Sequence, residues 1–387
     1  MEKICRRISE IGTVVGGGTP STKSSDYWGG DIPWISPKDL TDYKSVYISK
    51  GENFLTEKGL KSGTRLLPKN TLLFSSRAPI GYVALAANPI CTNQGFKSIV
   101  CDEKQVVPLY LYYYMKANLD YIKLFGTGAT FPEISGKTMG KIKVEIFKSL
   151  DVQHRIASIL STYDSLIENN TKRIRLLEKM AENLYKEWFV RFRFPGHENV
   201  EMENGLPKGW SRGSLSDVCE FKRGKNITSS EMQEGNVPVI SAGLEPSGYH
   251  SCSNVRGVNV TMSSSGANAG YIAIHYSDIW AADCSYIEES TTGNIYYVYE
   301  LLNNIRTVIN NFQRGAAQPH VYPKDVNRIK LILPSKELML KANGRLEIMH
   351  KEIYNLQKQN SLLARQRDLL LPRLMSGKLE VKEELFE

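Results

Sequence analysis

Certain loop segments carry the residue types that bind phosphates and base edges. Thr19-Pro20-Ser21-Thr22-Lys23, Ser75-Ser76-Arg77 and Thr127 to Phe131 lie in the first half of the chain. Lys222-Arg223-Gly224-Lys225-Asn226, Ser263 to Asn268 and Arg314 to His320 lie in the second. Lys and Arg bring positive charge to phosphate oxygens, while Arg, Asn, Gln, Ser and Thr offer the donors and acceptors that read base edges. The side chains assigned to such contacts are Thr19, Lys23, Lys38, Ser76, Arg77, Thr127, Thr130 and Phe131, then Lys222, Arg223, Lys225, Asn226, Ser264, Ser265, Asn268, Arg314, Gln318 and His320. A single loop of this kind reads more readily as a solvated turn than as a binding segment. Recurrence in both halves argues for a binding face built twice.

Catalytic signatures do not accompany these loops. There is no GxxxxGK[ST] phosphate loop, HExxH, GxSxG elbow or Asn-Pro-Pro-aromatic signature. Gly16-Gly17-Gly18 continues into Thr19-Pro20 rather than completing GxGxxG, so it reads as a tight turn. His154, His197, His250, His275, His320 and His350 have no acidic neighbour at ligand spacing. The six cysteines form no CxxC pair, so no metal site and no disulfide framework is expected, and free thiols fit a cytoplasmic protein. Met1 to Glu10 is too charged for a secretion signal, and no apolar run approaches the roughly 18 residues of a membrane helix.

The elements that must position the loops recur as well. Ile8-Ser9-Glu10-Ile11 aligns with Leu215-Ser216-Asp217-Val218, both read as strand openings. Ser75 to Leu85 aligns with Ser263 to Ile274 through Gly-Tyr and a β-branched run, at an offset of roughly 190 residues. Phe125 to Val144 aligns with Phe312 to Leu331 in the same order, which argues for duplication. Strands are expected at 32–35, 71–74, 82–86, 237–240, 258–262 and 271–275, and helices at 109–121 and 296–310. Each half is thus read as α+β with mostly antiparallel strands.

Each half ends in a heptad. Leu160, Tyr163, Ile167, Asn170, Ile174, Leu177, Ala181, Leu184 and Trp188 step alternately by three and four, and so do Leu346, Met349, Ile353, Leu356, Asn360, Leu363, Arg367 and Leu370. A seam Asn in each sets register at some cost in stability, so the helices are expected to pair with each other, by Tyr163, Ile167, Asn170, Ile174, Leu177 and Leu184 against Met349, Ile353, Leu356, Asn360 and Leu363. Independent amphipathic helices, each packed on its own domain, are the alternative. Arg191 to Glu198 and Gly205 to Trp210, rich in Pro and Gly, mark a linker. The boundaries read as a first domain over 1–150, a long helix over 151–193, a second domain over 194–335, and a second long helix with its tail over 336–387. A chain of 387 residues is too long for one core, and Lys+Arg 49 against Asp+Glu 41 gives a net charge of +8, a weak pointer to a polyanionic partner. A standalone enzyme or a pure scaffold are the competing classes.

The sequence resembles the specificity subunit of type I restriction-modification enzymes over nearly its whole length. The resemblance rests on Gly17-Gly18-Thr19-Pro20-Ser21, Tyr27 to Leu40, Ser76 to Gly81, Asn93-Gln94-Gly95-Phe96, Gln153-His154-Arg155-Ile156-Ala157 and Leu370 to Gly377. Lys222-Arg223-Gly224-Lys225 departs from the Gly-Gly-Thr-Pro-Ser turn, which implies different readouts in the two halves. The resemblance implies two target recognition domains, each reading half of a split asymmetric site in double-stranded DNA. It implies an antiparallel helical coiled coil between them, two methylation subunits docked on the helices, and restriction subunits joined through the complex. S-adenosylmethionine, ATP and Mg²⁺ chemistry would reside on those partners, with no cofactor on this chain. A seam of that length spans roughly 50 Å, on the order of 15 base pairs.

Overall fold

The computed structural model describes residues 2–128, 130, 132–315 and 318–381. The chain divides into two compact units, Met1–Thr171 with Gln359–Glu387, and Lys172–Lys358. Both mix helix and strand.

In the first unit, Leu72–Ser76 and Ile80–Ala86 are apolar at successive positions, the pattern of strands covered on both faces. Their side chains alternate between two cores: Leu72, Phe74 and Leu85 face one, Leu73, Ala84 and Ala86 the other. They belong to a five-stranded sheet ordered Gly12–Gly16, Lys97–Cys101, Leu72–Ser76, Ile80–Ala86, Tyr47–Ile48. Beside it, Trp28–Ile35 pairs antiparallel with Asn53–Leu55 and parallel with Cys91–Thr92. Lys3–Arg7 pairs with Lys143–Phe147.

The second unit has the same plan. Its four-stranded sheet is ordered Lys222–Arg223, Cys284–Glu288, Asn259–Ser263, Ile272–His275. Val237–Ile240 pairs antiparallel with Gly248–His250 and parallel with Trp280–Ala281. Ser211–Ser214 pairs with Lys330–Leu333. The aligned segments Ser75 to Leu85 and Ser263 to Ile274 thus run through corresponding strands, as do the ends of Phe125 to Val144 and Phe312 to Leu331.

Three expectations are corrected. Ile8–Ile11 is a helical turn and Leu215–Asp217 a 3-10 turn, not strand openings. In each, a carboxylate at the third helical position accepts the N–H of the residue before the turn, Glu10 from Arg7 (2.5 Å) and Asp217 from Ser214 (2.7 Å). The triple glycine is an extended close approach rather than a tight turn. Gly17 and Gly18 donate to Phe96 and Thr92 carbonyls, and a Cβ on Gly17 would lie 2.0 Å from Asn93 O. The helix expected at 109–121 is divided at Asn118 into Pro108–Ala117 and Leu119–Lys123, and that at 296–310 into Ile295–Asn304 and Arg306–Asn310.

The long helices are Leu150–Tyr185 (36 residues), continued by a π turn at Lys186–Val190, and Lys336–Ser376 (41 residues). Every residue of both heptads is buried or half-buried. In the first unit, Asn170 Nδ2 donates to Gln359 Oε1 and Asn360 Nδ2 to Thr171 Oγ1, both at 3.3 Å, while Arg367 pairs with Asp164. In the second, Arg173 meets Glu352 at 2.7 Å, and Ala181, Tyr185 and Trp188 share a core with Leu338, Ala342 and Leu346. Within each unit the helical segments therefore run antiparallel. Arg367 occupies its seam position because Asp164 faces it, and that carboxylate also accepts the Tyr113 hydroxyl at 2.5 Å.

Side-chain amides fasten these helices to the starts of shorter ones. Buried Gln153 accepts the Val107 N–H (2.8 Å) and donates to Phe147 O (2.7 Å), capping the start of helix Pro108–Ala117. Asn343 Oδ1 does the same for the Tyr296 and Tyr297 N–H groups, each at 3.1 Å.

Candidate nucleic-acid interface

Strand Leu72–Ser76 ends where Ser76 N–H donates to Gly95 O (2.7 Å) and Ser76 O accepts from Ile134 N–H (3.0 Å). Beyond Leu119–Lys123 the chain makes a small hairpin, with Thr127 and Glu133 exchanging both backbone hydrogen bonds (3.0 and 2.9 Å). The hairpin lays Glu133 against the strand loop, one oxygen 3.3 Å from Arg77 Nη1 and the other 3.1 Å from Lys97 Nζ. Lys97 also donates to Gln94 O (3.2 Å), and Thr19 donates to the Gln94 side chain. Thr19, Ser76, Arg77 and Thr127 are thereby joined through Gln94, Lys97 and Glu133. Burial opposes the Glu133 charge, but the Lys97 hydrogen bond and the charges of Lys97 and Arg77 override it and hold the carboxyl below its usual range.

The second unit repeats the geometry. Arg314 and His320 exchange backbone hydrogen bonds (2.9 and 2.8 Å) at the corresponding hairpin, and Val321 N–H donates to Ser264 O (3.0 Å) as Ile134 does to Ser76. Ser265 Oγ donates to Asp283 (2.6 Å), whose other oxygen lies 3.8 Å from Arg223. Arg314 is 2.9 Å from Asp325 and 63% exposed, leaving most of its donors to solvent. The charges are wired differently at the two sites: in the first, Glu133 on the hairpin bridges Arg77 and Lys97 on the strand side, whereas in the second Asp283 pairs with Arg223 and Arg314 on the hairpin pairs separately with Asp325.

Ser76, Ser264 and Ser265 are buried where the hairpin packs on the strand end, the Ser76 hydroxyl donating to Gly95 O (3.1 Å) and that of Ser265 to Asp283. Ser75 completes that frame, accepting the Gly81 and Tyr82 N–H groups at 3.1 and 2.8 Å. Thr19, Lys23, Lys38, Thr127, Thr130, Lys222, Arg223, Lys225, Asn226 and Gln318 are exposed, while Asn268 and His320 are half-buried. Lys38 pairs with Glu52 at 3.0 Å, away from the Arg77 network. Phe131 lies outside the described residues.

Residues 3–179 and 207–360 match the family described as the type I restriction modification DNA specificity domain. The chain is 35% identical to the type I restriction enzyme MjaIX specificity subunit of Methanocaldococcus jannaschii, over 98% of this chain and 94% of that one. The chain belongs to the type I restriction-modification specificity family. It is also 31% identical to the EcoR124I/EcoR124II specificity subunit of Escherichia coli, over 50% of this chain and 49% of that one. The crystal structure of the type I restriction-modification system S subunit from M. genitalium shares its fold, with a TM-score of 0.69 at 20% identity, covering 99% of this chain and 97% of that one.

For this specificity-family chain, the residues that motif reading missed are Lys97, Glu133, Asp283 and Asp325. Their signal was positional: Lys97 directly follows Asn93-Gln94-Gly95-Phe96, and Glu133 closes the hairpin that contains Thr127 and Thr130. His350 packs its Nε2 3.2 Å from buried Glu300, a partner fifty residues away in sequence. Among the described residues no group of three or more His, Cys, Asp or Glu could hold a metal ion. No described helix is long and apolar enough to cross a membrane.

Proposed function

We propose that this chain is the non-catalytic, sequence-reading subunit of a cytoplasmic type I restriction-modification complex, with each compact unit a target recognition domain for one half of a bipartite asymmetric site in double-stranded DNA. The observation that carries the reading is the junction of strand loop and hairpin repeated with different charged groups, Arg77–Glu133–Lys97 in one unit and the separate pairs Arg223–Asp283 and Arg314–Asp325 in the other. One scaffold with different side chains suits two different half-sites. Base-edge contacts would supply selectivity and Lys/Arg contacts to phosphate the register.

The long helices would act as an antiparallel coiled-coil spacer. Helix Leu150–Tyr185, 36 residues long, extends about 54 Å, on the order of 16 base pairs of duplex. Their outward apolar residues, Leu166, Leu176 and Met180 on one and Ile348, Leu362 and Leu369 on the other, would receive two methylation subunits, and restriction subunits would join through these. S-adenosylmethionine, ATP and Mg²⁺ would then be bound by the partners.

The test is one-sided disruption. With the methylation subunits present, Arg77→Ala is expected to alter selection at one half-site and Arg314→Ala at the other, read by sequencing duplexes retained from a random pool. Loss of both half-sites from either variant would contradict independent domains.

A further inference from the structure

Arg77 is held at both ends. Its backbone follows Ser76, fixed by Gly95 and Ile134, and precedes Ala78, whose φ of +48° only a constrained surrounding sustains. Its guanidinium meets Glu133 through Nη1 alone and stays 39% exposed, leaving the rest of its five N–H donors for another partner. Glu133 is itself immobilised, its backbone by Thr127 and its second oxygen by Lys97, which is only 15% exposed. A carboxylate in that position both aims the guanidinium and cancels one of two adjacent positive charges.

We infer that Glu133 is a positioning residue for half-site discrimination: it presents Arg77 to a base edge and withholds the Arg77 and Lys97 charges from indiscriminate phosphate contact. This rests on the reading of the first unit as a DNA-recognition domain. Without the carboxylate, Arg77 can swing to whichever phosphate is nearest, so selectivity falls while overall attraction to DNA rises. A merely structural role would lower both.

The experiment uses the full chain assembled with its methylation subunits and a random duplex pool, comparing wild type, Arg77→Ala, Glu133→Gln and Glu133→Asp. Arg77→Ala is expected to lose preference at a base pair of one half-site. Glu133→Gln is expected to weaken that same preference about tenfold. It should also retain more non-cognate duplex, with a log–log salt slope steeper by about 0.9, one added phosphate contact. Glu133→Asp keeps the charge but shortens the arm, so it should relax the preference without steepening the slope. Melting temperatures identify any variant that fails to fold, in which case Glu133→Asp decides. A Glu133→Gln protein that keeps the preference within about twofold, or shifts positions that Arg77→Ala leaves alone, overturns the inference while half-site reading stands. A wild-type complex that enriches no half-site overturns both.

Discussion

Removing the guanidinium of Arg367 is expected to destabilise the first unit severely. The Asp164 side chain is 7% exposed and that of Arg367 18%, so the pair is largely withdrawn from water. Burial works against the Arg367 charge, yet the hydrogen bond and charge of Asp164 override it and hold the proton more tightly than usual. Burial and the Asp164 charge likewise push the Tyr113 hydroxyl up, so it remains a donor to the same carboxylate. In Arg367→Ala the carboxylate would keep Tyr113 as its neutral partner and lose its positive one. Breaking a buried pair from one side costs about 3–5 kcal/mol, and the retained Tyr113 bond points to the lower end. For a unit of 150–250 residues each kcal/mol shifts Tm by roughly 2–4 °C, so a drop of about 6–12 °C is expected by calorimetry. Replacing both charges by leucine, Asp164→Leu with Arg367→Leu, should recover part of that loss, because no uncompensated charge remains even though the buried Tyr113 hydroxyl loses its acceptor. A single variant melting within about 2 °C of wild type, or a double variant less stable than the single, would refute the reasoning.

Gly17→Ala should cost roughly 1–3 kcal/mol, since its Cβ would sit 2.0 Å from Asn93 O, whereas Gly16→Ala, with nothing within 4 Å, should stay within about 0.5; urea midpoints distinguish them. Gln153→Ala should cost about 1–3 kcal/mol by orphaning the Val107 N–H and Phe147 O, with faster hydrogen exchange at Val107. His275, on the strand beside Thr261, is pushed down to about 4 by burial from an ordinary 6.5. Its neutral form favours the folded state, so stability should be full above pH 6.5 and fall as pH drops from 6.5 toward 4. His275→Gln should flatten that slope in chemical denaturation across this range, and an unchanged slope would remove His275 as its source.

The buried face of each long helix was legible because burial along a helix depends on spacing, and the three-four steps from Leu160 to Trp188 and from Leu346 to Leu370 all fall on covered positions. The strands expected at 71–74 and 258–262 were legible to within two residues of 72–76 and 259–263, from short β-rich stretches bounded by turn residues. The turns at Ile8 and Leu215 were not, because four residues fit either period and a carboxylate cap decides between them. Loop recurrence located the junctions but not their wiring: Glu133 reaches Arg77 and Lys97 from distant sequence, and Asp283 reaches Ser265 and Arg223. Nor does the sequence distinguish a serine that faces solvent from one that frames a loop, and Ser76, Ser264 and Ser265 fell on the buried side for reasons of packing alone.

The most direct test of the central claim is genome-wide mapping of N6-methyladenine in cells with and without this chain. A chain-dependent motif of two unlike half-sites separated by an unread spacer of fixed length is expected, with Arg77→Ala altering one half and Arg314→Ala the other. A continuous motif, or methylation that persists unchanged without the chain, would contradict it.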